Sequence, residues 1–124
     1  MVTSLVAASA RLEIDCDASG WCDATLDADG RHRLGSETRN VLVERLVRAL
    51  RDELSGPSSG ELEGVSVVWV LSLSERHASI YAAHRDGMRN LYFQDAEGKL
   101  IARLALGTEE REEWISILER TAPR

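Results

Sequence analysis

From Val65 to Ser74 the chain runs ten residues without glycine or proline, and Val65, Val67, Trp69, Leu71 and Leu73 alternate with Ser66, Val68, Val70, Ser72 and Ser74. Period-two spacing rich in β-branched side chains specifies a strand. Val68 and Val70 make its second face half apolar, so the sequence assigns it a central place in a sheet.

The other strands follow from the same period. Leu12, Ile14 and Cys16 share one side of a strand, and Cys22, Ala24 and Leu26 share one side of the next, with Asp17 to Trp21 as their loop. Asp27 to Gly30 reads as a turn and Arg31 to Leu34 as a short strand. After the central strand, Ser79 to Arg85, Arg89 to Gln94 and Lys99 to Leu106 continue a meander. Arg76 to Ala78, Asp86-Gly87 and Asp95 to Gly98 separate them.

Twice the spacing turns helical. With Ser36 as N-cap, Leu42, Val43, Leu46, Val47, Leu50 and Leu54 fall on one arc, opposite Glu44, Arg45, Arg48, Arg51 and Asp52. Gly56 and Pro57 stop that helix, and a flexible connection runs on to about Gly64. Thr108 caps a second helix, with Glu109 and Glu110 in its first turn and Trp114, Ile115, Ile117 and Leu118 as its inner stripe before Pro123. The expected fold is α+β: an antiparallel meander sheet with two amphipathic helices, residues 1–124 forming a single domain.

Asp27-Ala28-Asp29-Gly30-Arg31 recurs as Asp95-Ala96-Glu97-Gly98-Lys99, and Leu34-Gly35-Ser36-Glu37 as Leu106-Gly107-Thr108-Glu109. The offset grows by an even number of residues between the two matches, which leaves every side chain on its original face. Duplication of one strand-meander-and-helix unit and convergent turn chemistry both account for the match. The double plan resembles, in outline, that of the whirly-like single-strand nucleic-acid binders. Their mode of binding needs a basic groove and exposed stacking aromatics, whereas this chain has a net charge of −6 and few Lys or Arg in its strands. No nucleic acid is expected as partner. No membrane is expected either, since no apolar run approaches the ~18 residues of a span, and the expected location is cytoplasmic.

Cys16 and Cys22 lack CxxC spacing, so they read as two small buried thiols facing each other across a hairpin, where a bridge is geometrically conceivable but often strained, and as reduced in a cytosolic setting. Asp15, Asp17, Ser19 and Asp23, with Gly20 and Trp21 between, follow the ligand spacing of a calcium loop. Leu26 stands where the bidentate Glu belongs, and the flanks alternate like strands, so an ordinary hairpin is favoured over a metal site. His32, His77 and His84 have no ligand spacing. A trio of Ser79, His77 and Asp86 or Asp95 can be drawn in any chain of this size, and no nucleophile elbow, phosphate loop or dinucleotide fingerprint is present. The protein is read as no enzyme, without a cofactor.

Two surfaces remain. Glu13, Asp15, Asp17, Asp23, Asp27 and Asp29 follow one another with no intervening base, an acidic face suited to a basic protein partner of the kind an inhibitor or immunity-type protein blocks. If both helices cover one side of the sheet, Val68, Val70, Tyr81, Tyr92 and Ile101 meet on the other, an apolar patch that needs cover. The function expected is therefore non-catalytic protein binding, with a distinct partner or a second copy in a homodimer. The patch together with Asp15, Asp23 and Asp27 forms the expected interface. The runner-up is a small-ligand or calcium-binding domain using the Asp15 to Asp23 turn, and a small enzyme of unknown class comes third.

Overall fold

A computed structural model describes residues 1–54 and 57–121. The fold is α+β and mostly antiparallel sheet. Strands β1 (Val2–Ala7), β2 (Ala10–Cys16), β3 (Trp21–Asp27) and β4 (Arg31–Thr38) form one four-stranded sheet in sequence order, followed by helix α1 (Arg39–Leu50). A short ribbon of β5 (Glu61–Leu62) and β6 (Val65–Ser66) comes next. Strands β7 (Val68–Ser72), β8 (Ser79–Arg85), β9 (Met88–Gln94) and β10 (Leu100–Leu106) form a second four-stranded sheet, followed by helix α2 (Thr108–Thr121). The expected single meander is thus two sheets, and β1, which period-two reading passes over, completes the first.

The turns are set by residues that tolerate positive φ. Asp86-Gly87 and Glu63-Gly64 both place two successive residues there, the two-residue hairpin geometry that matches strand twist. The Glu63-Gly64 turn converts the expected flexible connection into the β5–β6 ribbon. Of the residues assigned as helix stops, Gly56 and Pro123 lie outside the described residues, and α1 ends at Leu50, before Pro57, with Arg51 as C-cap.

One apolar cluster runs through both sheets and both helices. It joins Leu5, Leu12, Leu26 and Leu34 of the first sheet to Leu71, Ile80, Leu91, Phe93 and Leu104 of the second, with Leu42 and Leu46 of α1 and Trp114 and Leu118 of α2. Trp114 is sealed in it and donates its indole N–H to the Val6 carbonyl at 2.9 Å, tying α2 to β1.

The sheets meet at one backbone bridge. Ser36 and Ser74 exchange N–H···O bonds of 3.1 and 3.0 Å, and the Ala78 N–H reaches the Leu34 carbonyl. This contact keeps β4 extended through Ser36, so the helix starts at Arg39 and Ser36 is a buried strand residue where the sequence predicts an N-cap. Gly35 makes the approach possible: at φ +133° a Cβ there would stand 2.3 Å from the Ser74 carbonyl oxygen.

Candidate binding site

The reverse face of the second sheet carries cross-strand rows read from the register. Tyr81 and Arg103 flank Tyr92, and Ala83 and Ala105 flank Asn90. The chain covers much of this face itself. Leu62 and Val65 of the ribbon and Val67 beyond it pack with Tyr81, Ala83, Tyr92 and Leu100 in a second apolar cluster. Tyr92 is 1% exposed. The expected open patch is therefore corrected at its centre: the face is apolar, and residues 61–67 seal it.

Two further members lie on the other side altogether. A bulge between Trp69 and Leu71 in β7 puts Val70 beside Leu71 in the main core, fully buried. A second bulge between Leu100 and Ala102 in β10 turns Ile101 onto the same core. Val68 stands opposite Ala82 and lines a small inner cavity of about 120 Å³ with Ala49 and Arg89. There Arg89, itself buried, pairs with the exposed Asp52 beyond α1. The β7 bulge also reverses the strand before it, and β7 is an edge strand where the sequence assigns a central one, so Trp69, expected inside, is 43% exposed.

On the first sheet Asp15, Asp23 and Asp27 do face outward, but neighbouring strands interleave them with cations. Arg11 pairs with Glu13 and Asp27, Arg31 with the same two acids, and Arg33 with Asp23 and Glu75. The run without a base along the sequence becomes a mixed ion-pair lattice across the strands. Asp23 accepts a short hydrogen bond from the Ser36 hydroxyl, which with the Arg33 guanidinium holds its carboxyl below the usual range.

The calcium spacing closes on itself. Asp17 Oδ1 accepts the Ser19 hydroxyl at 2.6 Å and the backbone N–H groups of Ser19 and Trp21, bonds that lower its pKa and spend the carboxylate on the turn. Among the described residues no three or more His, Cys, Asp or Glu side chains gather where a metal could be held. Cys16 and Cys22 are direct partners in the β2–β3 register with Cα atoms 4.0 Å apart, and they form a disulfide. This corrects the expectation of reduced thiols, which rested on a presumed compartment where the geometry already permitted a bond. Ser79 shares a hydrogen bond with Ser72, and no bond joins it to His77.

What the period-two reading missed is an exposed tryptophan held against α1. Trp69, on β7, lies under the Arg45 guanidinium, 5.2 Å from ring centre to Cζ, and donates its indole N–H to the Ser72 hydroxyl at 2.9 Å. Arg45 is itself fixed by its Nε–H donating to the Val70 carbonyl at 2.6 Å. Val41, one turn earlier on α1, and Trp21, opposite Thr38 at the helix entry, are each 40% exposed. Arg39 heads the helix, whose first turn holds no acid and whose Thr38 side chain makes no capping bond. A sequence signal existed, an Arg at the helix start where an acid is usual.

No helix among the described residues is long and apolar enough to cross a membrane. No protein-family model matches the chain, and no curated protein matches it.

Proposed function

We propose that the protein is a non-catalytic binding module that docks a protein partner on the Trp21, Val41, Arg45 and Trp69 surface, and that the partner presents an acidic segment with apolar side chains. The observation carrying this reading is that Trp69 is exposed yet held, by Ser72 beneath its N–H and Arg45 over its ring. Trp and Arg dominate the binding energy of protein interfaces. Side chains fixed before docking lose little entropy on binding.

Charge selects the partner. The protein as a whole carries −6, but the Arg45 guanidinium stands over Trp69, and the first turn of α1 holds no acid to offset the positive end of its dipole. Glu13, Asp23 and Asp27 of the first sheet are paired with arginines, which weakens the case for a basic partner there. The covered reverse face likewise offers less area to a second copy. In the same reading the two halves are copies of one unit, supported by the matching 27–31 and 95–99 turns, each joining the third and fourth strands of its sheet.

A photocrosslinking residue at Val41, incorporated in the native cell, tests the docking surface. The expected result is a single protein adduct, with the crosslinked peptide acidic, that disappears with Trp69→Ala. A probe at Ser4 on the opposite sheet should give none. No adduct from Val41, or the same adducts from Ser4, would discard the reading.

A further inference from the structure

Where the ribbon stops covering the reverse face, a groove of about 390 Å³ remains, within the usual size of small-molecule sites. Its floor is Asn90, in the middle of β9 and 3% exposed. Asparagine is disfavoured in strands, and a buried polar group ordinarily has its hydrogen bonds met. Asn90 Oδ1 accepts one bond, from Arg103 Nη1 at 3.2 Å. Its amide nitrogen and the Tyr92 hydroxyl donate to no described residue. Both cross-strand neighbours of Asn90 are alanines, Ala83 and Ala105, so the space above the amide stays open.

The walls are charged in matched pairs. Arg103 lies 3.4 Å from Glu63, which the β5–β6 turn brings over the sheet, and Arg85 lies 3.6 Å from Asp86. All four residues line the groove. Guanidinium, amide and phenol donors together suit a planar carboxylate, which accepts bonds from both of its oxygens. The two rim carboxylates disfavour a multiply charged anion such as phosphate and supply acceptors for an ammonium group.

We propose that this groove binds a small zwitterion of the amino-acid type, its carboxylate on Asn90 and Arg103 and its ammonium at Glu63 or Asp86. The groove lies toward β9 and β10, away from Trp69 on the β7 edge, and shares no lining residue with the tryptophan surface.

Amide-detected NMR of the full chain tests it, titrating a panel of free amino acids, with acetate and ethylamine as single-charge probes. The expected result is a saturable shift of the Asn90 side-chain amide by at least one amino acid, with Kd below about 1 mM. Acetate and ethylamine should bind at least tenfold more weakly. The shift should vanish in Arg103→Gln, an exposed position, and the accompanying backbone-amide shifts of residues 90 and 103 should vanish in Asn90→Ala. Absence of a saturable shift across the panel, persistence of the shift in Arg103→Gln, or equal binding of acetate would overturn the proposal.

Discussion

At the scale of single residues, partners across strands decide what each charge does. Asp23 reads from the sequence as one more surface acid, yet its carboxylate joins Ser36 and Arg33 on β4. Its pKa is lowered in the folded chain, chiefly by the Ser36 hydroxyl and next by Arg33. The unfolded state therefore takes up this proton first on acidification. The contribution of Asp23 to stability is fully present above the ordinary carboxylate value near pH ~4 and is lost as pH falls through the lower folded value. Asp23→Asn should flatten the fall of the urea midpoint below about pH 4 relative to the parent protein. Identical slopes would mean that the Ser36 and Arg33 bonds add nothing in solution. The outward direction of Asp15, Asp23 and Asp27 was legible from alternation alone. Arg31 and Arg33 become their neighbours only through the β3–β4 register, which passes through an irregularity between Ala24 and Thr25.

At the scale of elements, most strands and both helices were readable because period-two and helical spacing are local properties. Ser79 to Arg85 matches β8 at both ends, and β9 starts one residue before the predicted Arg89. The misplacements of Val70, Trp69 and Ile101 share one cause. A bulge adds a residue on one strand only, so alternation beyond it inverts, and both bulges fall on edge strands of the second sheet. The β2–β3 hairpin carries the disulfide, and its short loop limits what the bond adds, about 2 kcal/mol by chain entropy. Unfolded without reductant, the protein should show no titratable thiol. Dithiothreitol should lower the stability of the parent protein by up to about that amount and leave a Cys16→Ser, Cys22→Ser double variant unchanged. Free thiol in the untreated protein would contradict the pairing.

At the scale of the whole molecule, the two sheets depend on one another. They share an apolar cluster, and Gly35 lets their backbones meet at Ser74. Gly35→Ala forces a Cβ against a carbonyl that cannot swing aside, at a φ that alanine rarely adopts, and should cost on the order of 2–4 kcal/mol. Urea unfolding followed by far-ultraviolet circular dichroism and by tryptophan fluorescence should give one coincident transition in parent and variant alike. Two separated transitions would show halves that unfold on their own. The sequence by itself determined most of the strands, the two helices, the direction of most side chains and the α+β class, because each depends on near neighbours in the chain. Only the tertiary structure decided that the strands divide into two sheets, that residues 61–67 fold back over Tyr92, and that Trp69 faces solvent beside Arg45. Those outcomes follow from bulges, one close backbone approach and contacts between residues distant in sequence, none of which leaves a periodic trace.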